Sequence, residues 1–329
     1  MKKILCVGEA LIDMICTDKG QSLEEGAHFL KKPGGAPTNV AAAIASLGGK
    51  VELVAKVGDD PFGRQLFNVM EQFGVGTRRM ILDKTKFTTF AFVSLMEDGE
   101  RDFVFNRGAD GELSQQEVDD IELEDTAVVH FGSATAFLPG PLQAAYYGLL
   151  QRALRKKLFI SFDPNYRHLL FPNDTRAFVD HAWNFLEACD FFKVSVEEAL
   201  LISGEATLSD AISKFSERTR AVFAITLGKD GTMFRCGEHL ETVPSIPITA
   251  VDTTGAGDAF VGAVLYQLCA ATGQPSLLSH ENDDTGPVSA ARLDEWRRIV
   301  TGANKAGART CEYMGAMEAF KHLSSQIFL

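Results

Sequence analysis

Leu158-Phe159-Ile160-Ser161-Phe162-Asp163 is a short apolar run that reads as a buried strand, and what surrounds it repeats the pattern. A helical stretch, Asp174–Ala188, leads to a second run, Asp190-Phe191-Phe192-Lys193-Val194-Ser195. Helices over Glu197–Ile202 and Leu208–Thr219 then lead to a third, Val222–Leu227. Upstream, Ala127–Phe131 and the helix Pro141–Arg155 begin the series. Strands alternating with helices predict a parallel sheet covered on both faces, a three-layer α/β/α arrangement. Gly228-Lys229-Asp230 turns the chain into Gly231–Cys236, which adds an antiparallel edge hairpin.

Toward the N-terminus, Lys2–Gly8 and Val51–Val57 read as further buried strands, and Val40–Leu47 and Gly63–Phe73 as helices. Thr38 or Asn39 is placed to cap the first helix, and Gly48-Gly49 to stop it. Two excursions differ. Residues 14–33 mix polarity around turn residues, and residues 84–107 alternate on either side of Glu97-Asp98-Gly99-Glu100, a hairpin pattern. Together they predict a small, half-exposed sheet standing over the body as a lid. Toward the C-terminus, Gly255–Leu268 reads as one helix led by glycines, Thr272–Val288 as a polar surface insertion, and Leu293–Leu323 as helical again. No linker divides the chain, so residues 1–329 form a single domain with the lid attached.

The charge balance, 32 basic against 44 acidic residues, disfavours non-specific nucleic-acid binding, which needs a basic surface. It leaves room for a polyphosphate in a local cleft. Cys6, Cys16, Cys189, Cys236, Cys269 and Cys311 have neither CxxC nor zinc spacing and predict reduced thiols in a cytoplasmic protein. The apolar run after Met1-Lys2-Lys3 is too short and too soon acidic for a signal peptide, and Ala259–Ala271 is too short for a membrane span. There is no GxxxxGK[ST], HExxH, GxSxG or protein-kinase catalytic loop. Gly255-Ala256-Gly257 continues to Phe260 where a dinucleotide fingerprint wants Gly or Ala, so a Rossmann oxidoreductase is a weak alternative.

The sharpest chemistry lies in Asp252-Thr253-Thr254-Gly255-Ala256-Gly257-Asp258-Ala259-Phe260. Glycines opening a helix leave unshielded amides that attract an anion. Asp258 in the first turn could accept a hydroxyl proton beside them, a pairing that suits phosphoryl transfer. Ordinary capping explains the carboxylate equally well, though not two glycines that each cost about 1 kcal/mol in a helix. Gly34-Gly35-Ala36-Pro37-Thr38-Asn39 lets backbone approach a ligand closely, or is a turn with a cap. Glu9 and Asp13 follow a strand end, where open α/β sheets bind ligands, or are solvated loop acids.

In these segments the chain resembles the ribokinase-like sugar and nucleoside kinases, most of all their fructokinase branch. Both family signatures are present in order: Gly34-Gly35-Ala36-Pro37-Thr38-Asn39-Val40-Ala41 onward to Gly58, and Asp252–Asp258. Between and after them, Asp163-Pro164-Asn165-Tyr166-Arg167, Lys193–Glu198, Thr226–Gly231 and Ala303–Ala308 also match, so the resemblance spans the chain except Thr272–Val288. The resemblance implies an ATP-dependent kinase that phosphorylates the 6-hydroxyl of D-fructose. Asp258 becomes the base and Gly255, Ala256 and Gly257 the anion hole. It implies sugar contacts from Asp13, Gly34, Gly35, Asn39, Asn165 and Arg167, and a lid arginine, Arg107, that reaches the substrate. ATP would lie against Lys193, Ser195, Thr226, Gly228, Gly231 and Asn304. Mg²⁺ would be ordered through water by Glu198, although Ser195 stands where the family often has Asn. K⁺ would sit near Asp252 and Thr254, completed by Gly315. It also implies a homodimer through the lids, with no nucleic-acid or membrane partner. Within the family, 2-keto-3-deoxygluconate, ribose and nucleosides are alternative acceptors; outside enzymes, the alternative is a sugar-binding regulatory protein on the same fold.

Overall fold

The computed structural model describes residues 2–95, 101–172, 174–270, 277–278 and 288–329. The expected 97–100 turn and most of the 272–288 insertion lie outside these residues. The chain begins with β1 (Lys3–Val7), β2 (Leu11–Cys16), β3 (Phe29–Gly34), α1 (Ala36–Ser46), β4 (Val51–Gly58), α2 (Pro61–Phe73) and β5 (Met80–Asp83). Next come β6 (Phe90–Leu95), β7 (Arg101–Asn106), α3 (Gln115–Asp119), β8 (Thr126–Phe131), α4 (Pro141–Arg155), β9 (Phe159–Phe162) and α5 (Thr175–Leu186). The series continues through β10 (Phe191–Ser195), α6 (Val196–Ser203), α7 (Leu208–Arg218), β11 (Val222–Thr226), β12 (Thr232–Cys236) and β13 (His239–Val243). It closes with α8 (Ala256–Ala270), α9 (Ala290–Thr310) and α10 (Ala316–Phe320).

The large sheet runs β13-β12-β11-β10-β9-β8-β1-β4-β5. Its neighbours are parallel from β11 to β5, and β12 and β13 are the antiparallel edge. One face packs on α1, α2, α8, α9 and α10 through residues such as Val40, Leu66, Val264, Trp296 and Phe320. The other packs on α3 to α7 through Val118, Leu149, Phe185, Ile202 and Phe215. This is the expected three-layer arrangement, because strands apolar on both sides must be covered twice.

The lid is a separate sheet ordered β3-β2-β6-β7. Its two excursions meet through a parallel β2–β6 pairing, Ile12↔Phe90 to Ile15↔Val93. Its strands begin earlier than the expected 14–33 excursion, since Leu11 already pairs with Gly34.

Three local expectations change. The first helix begins at Ala36, with Gly35 at the cap position and no side-chain cap, so Thr38 and Asn39 lie inside it. Pro37 suits the first turn, and Asn39 has a distant partner described below. Gly255 precedes α8 rather than opening it, at φ +81. The span 293–323 is broken between α9 and α10, with Gly315 at φ +84.

Candidate active site

The C-terminal ends of the parallel strands, the loop before α8 and the N-terminus of α1 converge under the lid. Asp258 lies in the first turn of α8 and is 9% exposed. Asn39 Nδ2 donates to its Oδ2 at 2.8 Å, across 219 residues of sequence. Asn39 Oδ1 is buried with no donor, an open acceptor beside the carboxylate. Burial pushes the Asp258 carboxyl up to about 6, and nearby Asp163 adds to the rise; the Asn39 bond, Lys193 and Arg167 oppose it. A carboxylate held so is a better proton acceptor near neutrality than an ordinary aspartate.

The amides beside it are equally specific. A Cβ on Gly255 would lie 2.4 Å from Ala316 Cβ, and its φ is left-handed, so only glycine fits. Among the described residues, the N–H groups of Gly255, Gly257 and Asp258 find no acceptor, whereas the Ala256 amide, expected in the anion hole, is spent on Thr253 O at 3.2 Å because it closes the turn that enters α8. Lys193 brings a buried ammonium to the same place: its Nζ is 3.1 Å from Asp163 Oδ2 and 3.2 Å from where a Gly257 Cβ would stand. Open amides and a cation beside a carboxylate make a site that holds an anion and removes a proton.

On the lid side, a Cβ on Gly34 would fall 2.1 Å from Asp13 Oδ2, so glycine allows the Asp13 carboxyl to lie across the chain. Burial raises the Asp13 carboxyl to about 6, against the pull of Arg167. Arg167 is exposed, donates to Tyr166 O at 3.0 Å, and its charge reaches both Asp13 and Asp258. Asn165, at φ +46, spends its amide on Gly132 O at 3.0 Å and shapes the strand ends. Arg107 is not gathered with these groups. Its guanidinium donates to Pro139 O (3.0 Å) and Thr135 O (3.1 Å) beside buried Asp110, which makes it a clamp at the lid's root.

The residues expected to face the nucleotide hold backbone. Ser195 caps α6 in a reciprocal box with Glu198, whose second oxygen accepts from Tyr166 N at 2.9 Å. Asn304 donates to Val243 O (2.9 Å) and Pro244 O (3.3 Å) and accepts from Thr232 Oγ1 (2.6 Å). Gly231 lies against the same Val243 carbonyl, and Thr226 and Gly228 end the neighbouring strand and open its turn. Asp252, Thr254 and Gly315 do converge: Asp252 accepts from the Thr254 amide (3.0 Å), the Thr254 hydroxyl (2.7 Å) and the Gly315 amide (2.8 Å).

Two site residues carried no assigned role from sequence. Asp163 was visible only as part of Asp163-Pro164-Asn165-Tyr166-Arg167; its partner Lys193 lies one strand away. Glu9, one reading of which was a solvated loop acid, is 1% exposed and accepts from the Ala36 and Ala134 amides and the Ser133 hydroxyl.

Residues 1–322 match the model of the pfkB family carbohydrate kinases. The chain belongs to that family. It is 37% identical to fructokinase-1 of Zea mays over 95% of this chain and 93% of the relative. Among solved structures it is similar to a double mutant of the Vibrio cholerae O395 fructokinase in its fructose-, ADP- and potassium-bound form. That likeness has a TM-score of 0.79 and 25% identity, over 100% of this chain and 97% of the other. A ribokinase II of E. coli, described as such provisionally and in complex with ATP and Mg²⁺, gives a TM-score of 0.82 and 27% identity over 100% and 98%. The fold is thus ribokinase-like, and the chain is an ATP-dependent carbohydrate kinase of the pfkB family. No helix among the described residues is long and apolar enough to cross a membrane.

Proposed function

We propose that the chain transfers the γ-phosphoryl group of ATP to the 6-hydroxyl of D-fructose, giving fructose 6-phosphate and ADP. The observation that carries this reading is the buried Asp258 carboxylate between open amides and an orphaned acceptor, Asn39 Oδ1. The kinship with fructokinases supports the choice of sugar.

Asp13, Asn39 and the Gly34-Gly35 backbone receive the sugar hydroxyls, and Asn165 and Arg167 border them. Asp258 takes the proton from the attacking hydroxyl, whose oxygen forms the new bond to phosphorus. The bridging oxygen leaves with ADP. The amides of Gly255, Gly257 and Asp258, with Lys193, hold the charge that spreads over the phosphoryl oxygens. The turn at Thr226, Gly228 and Gly231 and the shelf built by Ser195 and Asn304 line the ATP cleft. Arg107 anchors the lid root through the Thr135 and Pro139 carbonyls.

Glu198 fits a water-bridged Mg²⁺, because each carboxylate oxygen accepts one backbone N–H and keeps a further lone pair. Mg²⁺ would supply charge neutralisation on the phosphates. Burial pushes the Asp252 carboxyl up, but hydrogen bonds from Thr254 and Gly315 outweigh it and hold the group below its ordinary value; this charged, hard oxygen, fixed by the converging Thr254–Gly315 backbone, suits K⁺. The distal lid favours a homodimer: cross-strand partners Ile15 and Leu30 are exposed, 39% and 44%, on the face that also bears Asp13. We place the protein in the cytoplasm on the six unpaired cysteines.

The test is ADP release from ATP, Mg²⁺ and K⁺ against fructose, 2-keto-3-deoxygluconate, ribose, glucose, mannose and adenosine. Fructose is expected to dominate. A larger signal with 2-keto-3-deoxygluconate would instead give exposed Arg167 a carboxylate to hold and overturn the choice of sugar. Sugar binding without ADP release would favour a regulatory protein.

A further inference from the structure

Lys32 is the last charged residue of β3, opposite Asp13 in the β2–β3 ladder. Cross-strand partners share a face, so its side chain leaves the lid on the side that bears Asp13. It does not stop at the sugar site. Its Nζ, Cε and Cδ lie 3.5, 3.7 and 4.0 Å from where a Cβ on Gly315 would stand. β3 thus packs on the start of α10.

What Lys32 touches is the support of the anion-hole loop. The Gly315 amide donates to Asp252 Oδ2, the other Asp252 oxygen gathers Thr254, and Ala316 is pressed against Gly255. Lys32 is half-buried, and its ammonium makes no ion pair or hydrogen bond among the described residues. Its charge nevertheless reaches Asp252 and Glu318 of α10 as a minor pull: against burial, the hydrogen bonds of Thr254 and Gly315 hold the Asp252 carboxyl low, and Lys321 does the same for Glu318. A lid strand therefore brings a cation to the residue that organises the phosphoryl-binding backbone.

We propose that Lys32 is a positioning residue that couples sugar capture under the lid to the shape of the Asp252–Gly257 loop, through Gly315 and Asp252. This rests on the reading that sugar binds beneath the lid. When sugar settles the lid, the Lys32 ammonium is held over the Gly315–Asp252 contact, and the loop amides are fixed for the nucleotide phosphates. A flexible lysine without a dedicated partner serves here because the contact must form and release in each turnover. Lys32 touches neither reacting atom, so its effect is on coupling between the two ligands.

The experiment is calorimetric titration of ADP, at fixed Mg²⁺ and K⁺, with and without a saturating acceptor, namely whichever sugar releases ADP in the panel above. It uses the full-length wild type, Lys32→Met, Lys32→Arg, Asp252→Asn and the Lys32→Met/Asp252→Asn double variant. In the wild type, sugar is expected to tighten ADP binding. Lys32→Met should cut that enhancement by about five-fold or more while changing ADP affinity without sugar less than about two-fold. Lys32→Arg should retain it. In the Asp252→Asn background, Lys32→Met should cause no further loss. Undiminished enhancement in Lys32→Met overturns the inference, as does an equal loss with and without Asp252. A wild type with no enhancement overturns it too, whereas ADP release in the panel independently decides the kinase reading.

Discussion

The two ends of the cleft spend their polar groups differently. At the end proposed for the acceptor, carboxylates are buried without full compensation: Asp13 and Asp258 are raised to about 6 and Glu9 to about 7, each chiefly by burial. At the end proposed for the nucleotide, Ser195, Glu198 and Asn304 are satisfied by backbone, fixing turns and strand ends. The contrast teaches that one end stores proton affinity and the other stores shape. A phosphoryl-transfer site needs both, since the base must want a proton and the donor must be held still.

The strongest way to break this comparison is Asp258→Asn. The amide keeps the size and a contact with Asn39 but cannot take the hydroxyl proton. The turnover number should fall by about 10²–10⁴-fold with sugar affinity nearly unchanged. Steady-state kinetics with direct binding measurements check this, and near-normal turnover would remove Asp258 from the chemistry. In the wild type, kcat/KM should decline as pH falls through about 6, because protonated Asp258 cannot act as base.

Asn39→Ala and Asn304→Ala sharpen the contrast as a pair. Asn39 donates to Asp258 and so lowers its proton affinity. Removing it should move the acid limb of the kcat/KM profile to higher pH and cut kcat/KM at pH 7 by about ten-fold or more. Asn304 supports Val243 and Pro244 and bonds none of the raised carboxylates. Its loss should raise the KM for ATP about ten-fold and leave the acid limb in place. An acid limb that moves with Asn304→Ala would mean the two ends are not separable.

These pairs also show what was legible in the chain. Buried strands such as Phe159–Phe162 and Phe191–Ser195 were readable because every position, or nearly every one, faces a core. The helix Pro141–Arg155 was readable to the residue because glycine and proline mark its start. β5 was not, since only Met80 of its four residues is fully buried and it pairs at the sheet's edge. Site glycines announced themselves by clustering. The long-range bonds did not: nothing near Asn39 marks it as Asp258's partner rather than a helix cap, and Lys193 is visible as a buried cation only once Asp163 is beside it. Arg107 matched a motif, yet the carbonyls of Thr135 and Pro139 hold it at the lid root.

The smallest effect concerns Glu9, which tests whether burial alone raises the acceptor-end carboxylates. Glu9 has no place in the transfer step; it ties the Ala36 amide at the start of α1 to Ser133 and Ala134. Burial raises its carboxyl to about 7, with Asp110 adding to the rise and the Ser133 bond opposing it. In the unfolded chain a glutamate titrates near about 4.3. Because the folded value is the higher one, the protonated carboxyl stabilises the fold fully below the unfolded value, and that stabilisation is lost as pH rises through about 7. Glu9→Gln cannot ionise, keeps a carbonyl to accept from Ala36 and Ala134, and presents an amide to the Ser133 hydroxyl. It should therefore melt about 2–5 °C above the wild type at pH 8 and level with it at about pH 4. A variant that melts lower at both values would mean that Glu9 stays charged, and that its hydrogen bonds outweigh the cost of burying it.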